Sequence, residues 1–382
     1  MTSDRRGLDR LRARARQARA DGHFAQAARL ERQAVELAGT LGLVGERTRA
    51  LLWEGYSLRQ AGEDDLALAV LLQAANERAV TVDPADVFSA LVAIIHISLE
   101  RKTASFCRAL LEQGRRYLTD IRQPWTVPLD FLEGELAYRQ GNFAAAWDWY
   151  SRAWASWRDE HPRLTAATHL WALCRAAFRR HDLAALERSN QWLAELQPTQ
   201  ALERQLQQRA QLLCWRARRA ADPLYHTSKP APVEMAIALL ADGINGESRD
   251  FGAWREALRV LALAGYWDEV DAALSRHPLQ TECFESALLL GDLALIRARM
   301  GLGLPAVDDD YDEPTADTPA PFSTLATVVA LRQAEDHYRA TQHLAEAEDE
   351  RLETNWHSRE LRSRFNMLHD TVLFDACPEC AQ

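Results

Sequence analysis

Two cysteines close to the end of the chain have the spacing of a metal-binding or redox pair. Cys377 and Cys380 enclose Pro378 and Glu379, and two thiolates at this C-x-x-C spacing can chelate zinc or exchange disulfides. A zinc site needs two further ligands; His369 is the nearest candidate, and the sequence contains no second C-x-x-C. We therefore expect a flexible tail over 377–382, and metal binding, dimer bridging or redox chemistry are the alternatives.

Other residue patterns that carry catalysis are missing from the sequence. Four histidines follow residue 330, but none forms the i, i+4 pair that would place two metal ligands on one helix face. There is no glycine-rich phosphate loop, serine elbow or paired-carboxylate motif. The sequence therefore predicts a non-catalytic protein without a cofactor, and zinc at the C-terminal pair is the single cofactor alternative.

The elements that would position functional residues are best recognised in Gly141–Trp157, GNFAAAWDWYSRAWASW. Gly141 and Asn142 predict a turn, and the aromatic residues after it repeat at helical spacing along one face: Phe143, Trp147, Tyr150, Trp154 and Trp157. Pro128–Gln140 has the composition of an earlier helix. A helix, a Gly-Asn turn and a second helix predict a helical hairpin.

Similar turns recur at a spacing of roughly forty residues, at Gly22, Gly62, Arg101, Gly141 and His181, near Ala221, and at Gly265. The hairpin at Gly141 resembles a tetratricopeptide repeat, because residues of the family's sizes occupy Gly134, Phe143, Ala146, Tyr150 and Ala153. It departs from the family pattern at Ala137, where an aromatic residue is usual. In the third repeat, Phe106 and Gln113 fall at positions that the family gives to small residues.

The resemblance implies an all-α fold, a right-handed superhelical solenoid of tetratricopeptide-like hairpins over residues 1–300. The period of about 40 residues exceeds the family's usual ~34. We expect an acidic, proline-rich linker or loop over 301–321, then long C-terminal helices over 322–376 that cap the last hairpin. The run Asp308–Glu313 could act as an internal ligand, although a solvated linker is the expected alternative.

In tetratricopeptide proteins the first helix of each hairpin lines the concave surface, so the resemblance also implies a set of binding residues. Arginines and aromatic residues share these positions, which suits capture of an acidic or extended peptide of a partner protein. In the alternative interpretation, the arginines pair with carboxylates of adjacent helices and the rings fill the seams between repeats. The predicted positions are Arg12, Arg16, Arg19, Arg49, Trp53, Tyr56, Arg59, Tyr138, Arg139, Trp171, Arg175, Arg179, Trp215, Arg218 and Arg219.

Composition narrows the class of partner. The formal net charge of −10 argues against a surface devoted to nucleic acid, and no apolar run is long enough to span a bilayer. The N-terminus lacks the apolar segment of a secretory signal, and six scattered cysteines are typical of reduced thiols. Only two lysines accompany the arginines, a bias typical of GC-rich bacterial genomes.

We therefore predict a cytoplasmic bacterial scaffold or adaptor with a protein or peptide partner, and a homodimer is possible in principle. Two alternatives stay open. The chain could be the sensor module of a bacterial signalling or transcription system, in which a bound ligand changes the curvature of the repeats. It could also be an accessory or substrate protein whose C-terminal cysteines are modified or bind metal.

Overall fold

The computed structural model of this chain describes residues 2–77, 79–122, 126–157, 163–197, 201–222, 231–245, 251–279, 283–302, 304, 306 and 325–376. Every regular element in these ranges is an α-helix, which confirms the predicted all-α class. Consecutive helices pack against each other along the described chain. None of the described helices combines the length and the apolar character needed to cross a bilayer. Most of the predicted linker, including Asp308–Glu313, and the whole tail with Cys377 and Cys380 lie outside the described residues.

The described chain divides into two compact units, and the division falls within a helix. Unit 1 comprises Met1–Leu136. Its helices are α1 (Thr2–Ala20), α2 (Phe24–Thr40), α3 (Val44–Gln60), α4 (Asp64–Ala75), α5 (Pro84–Arg101), α6 (Ala104–Asp120) and most of α7 (Val127–Arg139). Small and branched aliphatic side chains from successive helices form its core.

Unit 2 comprises Ala137–Gln382 and begins with the last residues of α7. Ten further helices follow: α8 (Phe143–Ala155), α9 (Arg163–Arg179), α10 (Leu183–Glu195), α11 (Ala201–Ala221), α12 (Ala231–Asn245), α13 (Phe251–Leu263), α14 (Trp267–Arg276), α15 (Phe284–Gly301), α16 (Leu325–Leu352) and α17 (Trp356–Ala376). Helix α15 packs against both α13 and α16, and α16 packs against α17. The long C-terminal helices are therefore part of the core of unit 2.

The predicted turns coincide with helix ends. Gly22, Gly62, Gly141 and Gly265 each follow the end of a helix with φ between 73° and 83°, in the left-handed region that glycine adopts without strain. His181 occupies the equivalent position after α9 with φ 56°, although it carries a side chain. The turn chemistry is thus local, which is why the sequence predicts it.

Small residues lie where neighbouring helices approach most closely. Ala27, Ala34, Ala67, Ala74, Ala146 and Ala153 are all 0% exposed. A Cβ atom on Gly55 would lie 2.5 Å from Cγ of Leu71, so α3 and α4 can meet at this distance only because residue 55 is glycine. This packing agrees with the hairpin spacing deduced from the sequence.

The third hairpin corrects one expectation. Phe106 is 47% exposed and Gln113 is also exposed, whereas Cys107 and Gly114 are the buried small residues of α6. The hydroxyl of Thr103 accepts the backbone N–H of Phe106 and caps α6, which therefore begins one residue later than the turn spacing predicts. The predicted register was wrong by one residue at this repeat.

Candidate ligand pocket

The predicted arginines of unit 1 are engaged by carboxylates of other helices. Four ion pairs join α1 and α3 to their neighbours: Arg12 with Glu46, Arg19 with Glu31 at 2.8 Å, Arg49 with Asp86 at 3.0 Å and Arg59 with Glu100 at 3.6 Å. Arg16 is exposed. In unit 1 the geometry favours the alternative interpretation, in which these arginines hold adjacent helices together.

The predicted aromatic residues of unit 1 pack in the same way. The guanidinium of Arg19 lies 4.6 Å from the ring centroid of Trp53, and the rings of Trp53 and Tyr56 are 5.7 Å apart. The hydroxyl of Tyr56 donates to the carbonyl of Ser89 at 3.4 Å, and burial raises the pKa of this phenol. Neither ring is among the lining residues of the cavity of about 240 Å³ that unit 2 contains.

Several carboxyl groups of unit 1 are partly buried beside arginines. Burial raises their pKa values, and the attraction of nearby arginines lowers them by a smaller amount. We refer to this set as the unit 1 carboxyls: Glu31, Glu54, Asp86 and Glu133. Their perturbation results from structural burial rather than from a cleft.

Unit 2 contains a cavity of about 240 Å³, which we call the arginine pocket. Helices α7, α9, α11 and α13 contribute seven arginines to its lining: Arg139, Arg175, Arg179, Arg209, Arg216, Arg255 and Arg259. Four glutamates also line it, Glu256, Glu285, Glu348 and Glu360, which leaves an excess of three positive charges. A net positive pocket in a chain of net charge −10 is a local feature that the overall composition does not predict.

Aromatic rings hold several of these guanidinium groups in place. Each ring comes from the first helix of one predicted hairpin and the arginine from the next such helix: Arg175 lies 4.6 Å from the ring centre of Tyr138, Arg209 4.3 Å from Trp171 and Arg216 4.6 Å from Phe178. A guanidinium stacked on a ring keeps its N–H donors in its own plane, where a carboxylate or phosphate can meet two of them at once. The wall formed by α7, α9 and α11 therefore holds arginines in a geometry that suits oxyanions.

Carboxylates support the arginines on the opposite side. Arg216 pairs with Glu256 at 2.5 Å, and Arg259 pairs with the buried Asp292 at 2.6 Å. Asp292 also accepts the hydroxyl of Tyr338 at 3.0 Å and contacts Arg364 at 3.4 Å. This buried network fixes Arg259 at the pocket wall.

The C-terminal helices close one side of the pocket. Glu360 of α17 pairs with Arg179 of α9 at 2.6 Å, and the Arg179 guanidinium lies 5.3 Å from the ring centre of Trp356. At the start of α17, Asp349 accepts the backbone N–H groups of His357 and Ser358, each at 2.8 Å. These hydrogen bonds lower the pKa of Asp349, although burial by itself would raise it. The helix that brings Glu360 to the pocket is thus capped by a carboxylate from α16.

Five predicted binding residues line the pocket: Tyr138, Arg139, Trp171, Arg175 and Arg179. The seven predicted residues of unit 1 do not line it, and neither do the three predicted residues of α11. Trp215 is buried, Arg218 pairs with Glu187 at 2.6 Å, and Arg219 donates to the carbonyl of Ala306 at 2.5 Å.

The error at these three positions has a simple cause. Arg209 and Arg216 of α11 lie 38 residues after Trp171 and Phe178 of α9, whereas the predicted turns at His181 and near Ala221 are 40 residues apart, so the predicted positions are two residues too close to the C-terminus. The arginines that face the pocket from α11 are Arg209 and Arg216, which the sequence reasoning missed. Arg209 and Arg216 repeat the seven-residue spacing of Trp171 and Phe178, and this signal in the sequence could have identified them.

The structure offers no support for a metal centre in the part of the chain that it describes. No group of three or more metal-ligating side chains occurs there, and His369 is exposed on α17. Cys377 and Cys380 lie outside the described residues, so zinc at the tail stays a prediction.

No known family model matches the chain, and comparison with curated proteins finds no significant sequence similarity. The resemblance to tetratricopeptide repeats therefore depends on hairpin spacing and packing alone. The functional proposal depends on the geometry and charge of the arginine pocket.

Proposed function

We propose that this chain is a solenoid of tetratricopeptide-like hairpins that binds a partner protein by capturing an acidic peptide segment in the arginine pocket. Sequential packing of the helices, left-handed turn residues and small residues at close helix contacts support the repeat architecture. The role is that of a non-catalytic scaffold or adaptor, and the sensor module described above is the alternative that shares this site.

The observation that carries the proposal is the excess of arginine in the pocket of an acidic protein. Seven arginines and four glutamates line about 240 Å³, and no lysine is among the lining residues. A guanidinium binds a carboxylate through two parallel hydrogen bonds, whereas a lysine acts only as a point charge. A hydrogen bond to a charged group contributes about 1.5–3 kcal/mol, so even one bidentate contact is sufficient to select an acidic residue.

The aromatic residues of the pocket define the second part of the ligand. Tyr138, Trp171 and Phe284 present ring surface to the cavity beside the guanidinium groups. Rings of this kind contribute apolar contact area at a low entropic cost and are enriched in protein interfaces. We therefore infer that the captured segment combines acidic residues with an aromatic or large apolar residue.

The size of the pocket argues against nucleic acid as the ligand. Affinity for nucleic acid grows with the number of phosphates that are neutralised along an extended surface. The arginine pocket has a volume of about 240 Å³ and is bounded on one side by α16 and α17. It accommodates a few side chains of a peptide rather than a run of nucleotides.

Peptide binding can be measured by fluorescence anisotropy with a labelled octapeptide of alternating glutamate and tyrosine. Replacing the stacked arginine by Arg209→Gln should weaken binding by roughly 10-fold or more, because a charged hydrogen-bond donor contributes about 1.5–3 kcal/mol. A peptide with glutamine in place of glutamate should bind much more weakly to the wild-type protein.

Arg297→Gln provides a matched control. Arg297 lies 4.4 Å from the ring centre of Trp267 and pairs with Asp271 at 2.7 Å, but it does not line the pocket. This substitution removes a similarly stacked arginine of the same unit and should leave peptide affinity unchanged. Equal affinities of the Arg209→Gln and wild-type proteins would refute the proposed site.

A further inference from the structure

The arginine pocket already contains a carboxylate of the same chemistry as the proposed ligand. The side chain of Glu360 is 7% exposed and bonds Arg179 at 2.6 Å and Arg364 at 3.1 Å. Burial alone would raise its pKa, but the attraction of Arg179 and Arg364 exceeds this effect and lowers the pKa. Glu360 is therefore a charged hydrogen-bond acceptor that already pairs with Arg179, one of the arginines that line the pocket.

The same region attaches the C-terminal helices to the turn between α7 and α8. The Gln140 side-chain amide donates to the carbonyl of Leu352 at 2.7 Å, and the hydroxyl of Thr354 donates to the carbonyl of Gln140 at 3.1 Å. The ring of Trp356 meets the ring of Phe143 edge to face, with centroids 5.6 Å apart. Two hydrogen bonds, one ring contact and the Arg179–Glu360 ion pair thus connect segments that are far apart in sequence.

We propose that Glu360 is an internal competitor that occupies Arg179 when no ligand is bound, and that an acidic peptide displaces it and loosens the start of α17. This inference rests on the proposed function and concerns the regulation of the same pocket. It makes ligand binding and docking of the C-terminal helices two coupled equilibria. Coupling of this kind is reciprocal, so a change in Glu360 that weakens its interaction with Arg179 should strengthen ligand binding, and ligand binding should weaken the interaction of Glu360.

The exchange is feasible because neither charge is left without a partner. When a ligand carboxylate takes Arg179, Glu360 keeps its contact with Arg364 at 3.1 Å. Arg179 keeps its ring contacts, which lie 4.9 Å away at Phe143 and 5.3 Å away at Trp356. Removing one partner of a buried ion pair is strongly destabilising, whereas exchanging one carboxylate for another avoids a buried unpaired charge.

The test uses the full chain and the same labelled octapeptide of alternating glutamate and tyrosine. Glu360→Gln keeps the shape of the side chain but removes the competing charge, and it should increase peptide affinity about fivefold or more, within the usual range of coupling between sites. Glu360→Asp shortens the reach to Arg179 and should give a smaller increase. Glu335→Gln is the control, because this residue of α16 pairs with Arg339 of the same helix, outside the pocket.

Hydrogen exchange provides an independent readout. Addition of the peptide to the wild-type protein should accelerate amide exchange over 356–360, because the start of α17 loses a contact, and should leave α14 unchanged, because no residue of α14 lines the pocket. Unchanged or weaker affinity of both Glu360 variants, or slower exchange over 356–360, would overturn the inference.

The two proposals fail in distinguishable ways. If the wild-type and Glu360→Gln proteins bind the peptide with equal affinity, the pocket binds acidic peptides but Glu360 does not compete. If the wild-type protein does not bind and the Glu360→Gln protein does, internal competition is strong and the inference is supported. If neither protein binds the peptide, the proposed function is wrong, and the inference that rests on it is overturned as well.

Discussion

Replacing Gly141 with alanine measures how closely the C-terminal helices approach the turn between α7 and α8. Gly141 has φ 73°, and a Cβ atom at this position would lie 2.2 Å from Cγ of Trp356 and 2.3 Å from Cδ1. Carbon atoms in contact are normally about 3.5–4.0 Å apart, so the indole or the turn must move by more than ~1 Å. The substitution therefore combines backbone strain with a direct steric overlap.

The expected loss of stability is the sum of the backbone strain and the steric overlap. An L-residue in the left-handed region costs roughly 1–2 kcal/mol, and overpacking of a close contact costs about 1–3 kcal/mol. We expect Gly141→Ala to lower the free energy of unfolding of unit 2 by roughly 2–5 kcal/mol. Gly265→Ala is the matched control, because Gly265 has φ 83° but its nearest side-chain atom is the flexible end of Met300 at 3.2 Å.

Urea unfolding followed by far-ultraviolet circular dichroism measures both free energies, and hydrogen exchange over α17 shows which contact is lost. A double-mutant cycle with Trp356→Ala separates the backbone strain at residue 141 from the overlap with the Trp356 ring. In the Trp356→Ala background the overlap with the indole ring is gone, so Gly141→Ala should lower stability by a smaller amount. This amount comprises the left-handed strain of roughly 1–2 kcal/mol and a remaining contact with Cβ of residue 356 at 2.8 Å. Equal losses for Gly141→Ala and Gly265→Ala, or no coupling to Trp356, would refute the close docking of α17 on this turn.

Two further predictions concern buried charge. Asp292→Asn should lower the free energy of unfolding by about 3–5 kcal/mol, since it removes a buried negative charge that contacts both Arg259 and Arg364. Asp271→Asn at an exposed pair should change it by less than ~1 kcal/mol, and similar losses in urea unfolding would contradict this reasoning. Acidification should change the stability of the two units in opposite directions. In the folded state the pKa values of the unit 1 carboxyls lie above the ordinary values of 4.5 for glutamate and 3.8 for aspartate. Folding therefore favours the protonated form of these groups. As the pH falls from 7 through the raised pKa values, the groups become protonated and unit 1 gains stability. Glu360 has a lowered pKa, so its contribution is present above pH 4.5 and is lost as the pH falls through its folded value. Hydrogen exchange in α2 and α17 between pH 7 and about 4 measures both effects, and parallel changes in the two helices would show that the assignment is wrong.

Much of the local structure could be predicted from the sequence. The turns at Gly22, Gly62, Gly141 and Gly265 were identified because left-handed backbone favours glycine and because helical spacing resumes directly after each one. The alanines that follow at fixed intervals are fully buried, with 0% exposure. The third hairpin was misregistered because its helix start depends on a Thr103 cap rather than on a glycine turn.

The candidate site was predicted only in part. Tyr138, Trp171 and Arg175 were identified because the same positions of successive first helices face the same cavity. The opposite wall was missed, since Arg259, Glu360 and their neighbours reach the pocket through helices that lie far along the chain. The domain organisation predicted from composition stays a prediction. In the structure, the boundary between the two compact units follows Leu136, because residues on each side pack mainly among themselves.

The amino-acid sequence was sufficient to predict helices, turns and the residues on their contact faces, because these depend on backbone preferences and on neighbours within one or two helical turns. It could not show which arginines are held by carboxylates of adjacent helices and which line a cavity. Arg59 and Arg179 both lie in the last turn of a helix, yet Arg59 pairs with Glu100 and Arg179 meets a residue 181 positions further along the chain. Only the packing of distant helices brings such charges together, because the energy of an ion pair depends on a distance in space that sequence spacing does not specify.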